Sequence, residues 1–313
     1  MHTLCTTVGS QRVSPPPCAV VNAVVNTVVN TPKSPQSLIL KGSKLDVKTW
    51  LGQGSALFDL GRYQGAINKF NRALALDSKN AKVWLHRGYA FCELKDYDSA
   101  ISDFKTVLQL EPENALALHG LGLAQAKLGL YQLAVVSFDR SLLYHRQDNK
   151  TWYNRGNALI QLGNFGEALR SFDQAINISP HHYRTWYNRA IALVSLNLCS
   201  DAIGSLDTTL TLKPTCHYAW NYRGLILNRL SRYEEALKSF QESIRHRTPN
   251  PNAWYGQATT YALLGDAQAA ARNLQKAIKC SPHIYRLMAR EDNNFEAIRE
   301  ERSIQRVLKS VNA

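Results

Sequence analysis

The side chains of this sequence that could react do not assemble into a site. Its six cysteines, Cys5, Cys18, Cys92, Cys199, Cys216 and Cys280, form no C-x-x-C pair. Their spacing offers neither a zinc site nor a disulfide framework and fits a reducing compartment. His181 and His182 are neighbours without a third ligand at metal spacing. No glycine-rich phosphate loop or nucleophile elbow occurs in a usable context, and the carboxylates are too scattered to nominate an acid and a base. The expectation is a chain that is not an enzyme, with no catalytic residue, no metal and no cofactor.

The side chains that could recognise a ligand are better ordered. Asn154, Asn157, Asn188, Asn221 and Asn228 stand among Tyr153, Tyr187, Tyr218 and Tyr222. An asparagine amide can both donate to and accept from an extended backbone, and tyrosine offers rigid amphipathic contact area. Tyr153, Tyr187 and Asn221 are 34 residues apart, as are Asn154, Asn188 and Tyr222. Lys48, Lys82, Lys150 and Arg184 keep the same interval or a multiple of it.

That interval organises the chain. All six tryptophans, Trp50, Trp84, Trp152, Trp186, Trp220 and Trp254, share one phase of 34 residues, with Leu118 in the remaining place. Four residues later comes a column of glycine or alanine from Gly54 to Ala258. Sixteen later every residue is alanine, from Ala66 to Ala270, and twenty later the column is Phe or Leu, from Phe70 to Leu274. Large apolar residues at helical spacing, with a small residue where they meet, describe two closely packed helices. Gly61, Gly129 and Gly163 mark the inner turn, and Pro112, Pro180, Pro214 and Pro282 the exit. Gly120, Gly122 and Gly129 fall in these packing and turn columns, which explains them without a phosphate.

These columns resemble the tetratricopeptide repeat, and the wording of Trp152 to Gly156 is similar to repeats common in cyanobacteria and other bacteria. The resemblance implies an all-α fold, a right-handed α-solenoid of seven 34-residue helix-turn-helix repeats over residues 46–284. The third repeat lacks the Trp and the exit proline, and the fifth has Asn197 and Cys199 in its inner turn, so these two are expected to be looser. Arg87, Arg155, Arg189 and Arg223 precede the small-residue column and are expected to pair with Asp139, Asp173 or Asp207 as part of the scaffold.

Residues 285–313 read as a C-terminal capping helix, because an open solenoid exposes the apolar face of its last repeat. Residues 1–45 lack any Asp or Glu, carry Pro15, Pro16 and Pro17, and nearly repeat Val24 to Asn26 as Val28 to Asn30. They read as a disordered low-complexity tail, with an organelle transit segment as the alternative. Asparagines interrupt the valines, which argues against a secretory signal, and no run is apolar enough to cross a membrane. A soluble, cytoplasmic protein is expected.

Within each first helix, the face opposite the second helix lies two before the Trp column and one, two and five after it. In repeats four to six this gives Lys150, Tyr153, Asn154, Asn157, Arg184, Tyr187, Asn188, Tyr218, Asn221 and Tyr222, with Asn228 one turn further. The resemblance implies that partners bind along the groove of first helices, so these residues form the candidate ligand site. The double substitution Asn154→Ala with Asn188→Ala is expected to cost little stability. The basic row at Lys48, Lys82, Lys150 and Arg184 favours an acidic or C-terminal carboxylate ligand. Asn157 and Asn188 match the two asparagines of the family's chaperone-tail clamp, but Tyr153, Tyr218 and Tyr222 stand where its basic residues would be, so that ligand is not expected.

The formal charge of +13 leaves an RNA-binding helical repeat as an alternative. RNA-reading repeats carry denser basic residues along the groove, which favours a protein-binding adaptor. A recruiting subunit of a separately encoded enzyme is a third reading.

Overall fold

The structure is a computed structural model that describes residues 46–309. The expected tail, residues 1–45, and residues 310–313 lie outside the described residues. Fourteen helices follow one another in pairs: α1 Val47–Asp59 and α2 Tyr63–Leu76, α3 Ala81–Glu93 and α4 Tyr97–Leu110, α5 Ala115–Lys127 and α6 Tyr131–Tyr144, α7 Asn149–Gln161 and α8 Phe165–Ile178. Then come α9 Tyr183–Ser195 and α10 Cys199–Leu212, α11 His217–Arg229 and α12 Tyr233–His246, and α13 Pro251–Leu263 and α14 Ala267–Cys280. Each helix packs on the next, and several successive first helices also touch. The third and fifth repeats keep the helix lengths of the rest, 13 and 14 residues.

Steric fit between two columns sets the distance between paired helices. The rings of Phe70, Phe104, Phe138, Phe172 and Phe240 are fully buried, and so is every alanine from Ala66 to Ala270 in the all-alanine column. A Cβ on Gly156 would stand 2.6 Å from Phe172 Cε1, and one on Gly54, Gly88, Gly122 or Gly224 would be similarly close to its own repeat's ring. In the two repeats where leucine replaces the ring, Leu206 and Leu274, the small residue is alanine, at Ala190 and Ala258. The extra methyl is present only where the ring is absent. Gly120 and Gly256 make a second close approach, on Phe104 and Phe240 of the preceding repeat, each with a would-be Cβ at 2.4 Å.

The inner turn has a left-handed residue in every repeat. Gly61, Gly129, Gly163 and Gly265 supply it in four, and Lys95 (φ 64°), Asn197 (φ 61°) and Ser231 (φ 57°) in the others, where a side chain is strained. The tryptophans hold the exit turn: the indoles of Trp84, Trp152, Trp186 and Trp220 donate to the carbonyls of Ser78, Arg146, Pro180 and Pro214 at 2.8 to 2.9 Å. The Trp column therefore faces the preceding exit turn as well as its own repeat.

The recurrent arginines join three helices at once. Arg155 on α7 pairs with Asp139 on α6 and donates to Ser171 on α8; Arg189 and Arg223 do the same with Asp173 and Ser205, and with Asp207 and Ser239. Arg87 reverses the order, with neutral Asn71 in the preceding repeat and Asp103 in its own. The third and seventh repeats have Leu121 and Gln257 in this column.

The capping segment is built from three elements rather than one continuous helix. The chain forms α15 Pro282–Glu291, a 3-10 turn Asn293–Ile298 and α16 Arg302–Lys309. The break falls at Asp292, whose carboxylate accepts from the amide of Asn294 and from Tyr255 Oη at 2.8 Å, and Asn293 and Asn294 compete poorly for helix. Phe295, Ile298, Ile304, Val307 and Leu308 are buried against Leu274, Ile278 and Tyr255.

Candidate functional site

The candidate residues lie on α7, α9 and α11. The structure brings most of them together, but by bonding them to one another. Asn188 Nδ2 donates to Asn157 Oδ1 at 2.6 Å and to Tyr153 Oη at 3.3 Å. The Tyr153 ring rests against Phe172, and edge-on against His182 at 5.3 Å between centroids. Tyr187 stacks edge-on with Tyr218 at 4.8 Å and tilts against Tyr222 at 6.0 Å. Arg184 Nε donates to Tyr183 Oη at 3.2 Å, with its guanidinium over the same ring.

Two residues expected to face a ligand are covered: Tyr187 is 4% exposed and Asn188 is 7%. The double substitution Asn154→Ala with Asn188→Ala, expected to cost little stability, would remove the amide that joins α9 to α7. Burial drives the Tyr187 phenol well above its usual range and pushes Tyr222 up to about 12. Both are neutral hydroxyls at physiological pH. On α11, Asn228 Oδ1 accepts from Thr260 Oγ1 at 3.0 Å, whereas Asn228 Nδ2 and Asn221 Oδ1 are covered without a partner. The basic row remains open, with Lys48, Lys82 and Lys150 exposed and Arg184 half-buried.

One residue of this face escaped the sequence reading. His119 occupies the column of Tyr153 and Tyr187 in repeat three, and that column was the available signal. Its Nδ1 faces Thr151 Oγ1 at 2.9 Å and Asp148 Oδ2 at 3.2 Å, and its Nε2 receives Asn154 Nδ2 at 3.3 Å. An imidazole protonated on Nδ1 satisfies all three contacts. Burial raises the Asp148 carboxyl, but hydrogen bonds from His119, Thr151 and the Lys150 amide outweigh it and hold Asp148 well below the usual carboxylate range.

Thr151, His119 and Asp148 are the groups of a nucleophilic triad in the wrong geometry. Hydroxyl and carboxylate share one ring nitrogen, and Thr151 is fully buried. The arrangement locks repeats three and four together. Burial, Arg184 and Lys150 lower the pKa of His182, whose Nδ1 meets Thr185 Oγ1 at 2.7 Å. Among the described residues no three His, Cys, Asp or Glu side chains gather as a metal site, and no helix is long and apolar enough to cross a membrane.

Comparison with known proteins agrees with this architecture. The TPR repeat pattern matches residues 54–95 and 88–129, and tetratricopeptide repeat patterns match residues 150–182 and 216–288. A protein prenyltransferase alpha subunit repeat also matches residues 199–230; it is a helical repeat and brings no enzyme identity with it. No curated protein sequence matches the chain. Among solved structures, the C-terminal part of a TPR repeat-containing protein from Cytophaga hutchinsonii is 17% identical with a TM-score of 0.62, covering 79% of this chain and 99% of that one. A tetratricopeptide repeat protein from Parabacteroides merdae is 14% identical, with a TM-score of 0.57 and coverage of 80% and 98%. YrrB, described as a TPR protein with an unusual peptide-binding site, is 16% identical, with a TM-score of 0.55 and coverage of 60% and 97%. These likenesses concern the fold; together with the matched repeats and the columns behind them, they make this chain a member of the tetratricopeptide repeat family, whose proteins are typically noncatalytic interaction scaffolds.

Proposed function

We propose that the chain is a noncatalytic adaptor that holds an extended acidic segment of a partner protein along the first helices of repeats four to six. The observation that carries this reading is the basic column that leads into this groove: Lys48 and Lys82 are exposed in repeats one and two, and Lys150, exposed, and Arg184 continue the column in repeats four and five. A row of like charge on one face attracts a complementary chain and sets its register. Tyr153, Tyr218 and Tyr222, half-buried beside it, offer apolar contact area next to the charge.

The test is a pull-down with the full chain, followed by binding kinetics of the recovered partner. Lys82→Glu with Lys150→Glu changes two exposed side chains that hold nothing in the fold. The expected result is slower association, with a difference from wild type that shrinks as salt rises. Equal rates at low salt would remove the proposal. Tight RNA binding that survives physiological salt in a filter assay would replace it with a nucleic-acid reading.

A further inference from the structure

Eight of the large apolar side chains that stay exposed belong to two columns shared by the repeats. Leu60, Leu94, Leu128, Leu196 and Leu264 form one such column before the inner turn, and Leu76, Leu110 and Tyr144 another at the exit. Their exposure comes with the repeat. The second helix of repeat three departs from this. On α6, Leu133, Val136 and Leu143 are 52%, 50% and 78% exposed. The other six repeats have small or polar residues at all three positions: Ser99, Ser102 and Gln109 in repeat two, and Glu167, Arg170 and Asn177 in repeat four. The scaffold needs no aliphatic residue there, and none of the three is buried.

At about 100° per residue, Leu133, Val136 and Leu143 lie within about 80° of the helix circumference and about 15 Å of its length. Leu130, 44% exposed, extends one edge of this stripe. Arg140 falls between the three, exposed and in no ion pair among the described residues. The neighbouring second helices expose Lys105 and Arg170, also unpaired, while the carboxylates closest in sequence to the three cations, Asp103, Asp139, Glu167 and Asp173, are engaged by Arg87, Arg155 and Arg189.

We propose that the outer face of α6 is a second docking surface, and that it receives an amphipathic helix of a partner protein whose apolar stripe is flanked by acidic side chains. A helix fits because the face is a short row of side chains on another helix. With no strand among the described residues, it offers no sheet edge for an extended chain. Acidic flanks fit because Arg140, Lys105 and Arg170 bring unpaired positive charge to the row and its borders. A second copy of this chain fits poorly. In an isologous contact centred on the stripe, each Arg140 would meet its own symmetry mate, between two chains that each carry a formal charge of +13. The surface lies on a second helix, apart from the first-helix groove, so it is independent of the proposed peptide site.

The test uses the full chain and a fluorescein-labelled amphipathic peptide of about 18 residues, with leucines at helical spacing and glutamate flanks. Its twin carries lysine flanks. Transplanting the repeat-two residues, Leu133→Ser, Val136→Ser and Leu143→Gln, should weaken binding of the glutamate peptide at least tenfold by fluorescence anisotropy. The lysine twin should bind wild type at least tenfold more weakly than the glutamate peptide. Should the triple variant lose its helical circular dichroism, Leu143→Gln alone, at the most exposed of the three positions, takes its place. Unchanged affinity in the folded variant, or equal binding of the two peptides, overturns the proposal. A wild-type dimer in sedimentation equilibrium that the variant loses overturns it in favour of a second copy.

Discussion

The pairing of glycine with phenylalanine and of alanine with leucine can be tested by moving it between repeats. Gly156→Ala places a Cβ 2.6 Å from Phe172 Cε1, about 0.8 Å inside the 3.4 Å at which ordinary contact begins. Phe172 is fully buried, so its ring cannot swing into solvent. Overpacking of this kind costs ~1–3 kcal/mol, of which ~0.5–1 kcal/mol is offset by the better helix propensity of alanine. The single variant should therefore lose about 1 kcal/mol. Phe172→Leu alone should also lose about 1–2 kcal/mol, since it leaves part of the ring's space empty. Together the two reproduce the arrangement of Ala190 with Leu206, and the new methyl enters the space the ring has left. The double variant should be more stable than the sum of the single effects by about 1–2 kcal/mol, a coupling expected only of residues in contact. Urea denaturation followed by circular dichroism measures all four corners of the cycle. A coupling within about 0.5 kcal/mol of zero would mean that the glycine column is set by something other than the ring.

Other consequences are equally accessible. Lys95→Gly and Ser231→Gly should each stabilise the chain by ~0.5–1 kcal/mol, because a left-handed side chain costs more than the added backbone freedom of glycine; thermal melts check this, and a loss in both would contradict it. Asn188→Ala should cost ~1–3 kcal/mol by leaving Asn157 Oδ1 without its donor, whereas Lys150→Ala should leave the melt unchanged. The folded-state pKa of Asp148 is lowered, so its contribution to stability is complete above the unfolded value of about 3.9 and is lost as pH falls through the folded one. Urea midpoints measured below about pH 4 should fall less steeply in Asp148→Asn than in wild type; parallel curves would show that the His119 contact does not couple to folding.

The scaffold was legible in the sequence because its determinants are columns. The alanine column states one contact seven times, the shared phase of the tryptophans six times and the Gly/Phe register five times, and the pairing of Arg155, Arg189 and Arg223 with Asp139, Asp173 and Asp207 followed from the same register. The groove was less legible. Helical arithmetic gives the direction of Tyr187 and Asn188 relative to their own second helix, but the side chains that cover them come from α7 and α11, and that coverage depends on how far successive first helices approach. His119 was missed because the column it shares with Tyr153 and Tyr187 was read for a ligand only in repeats four to six. The break at Asp292 was missed because the apolar residues on either side continue a helical period across it; what stops the helix is a hydrogen bond to Tyr255, 37 residues away in sequence.

The arginine column divides five of the six joints between repeats into two kinds, the first joint having Arg87 on the neutral Asn71. Three joints, between repeats three and four, four and five, and five and six, are bridged by a guanidinium held between helices, with a carboxylate on one side. At the joints between repeats two and three and between six and seven, where Leu121 and Gln257 replace the arginine, Gly120 and Gly256 sit flat on a phenylalanine ring of the preceding repeat. Salt screens the charged joints, while cold weakens the apolar ones. Raising ionic strength is therefore expected to loosen the three charged joints more than the other two, and cooling to weaken the two ring-on-glycine joints more.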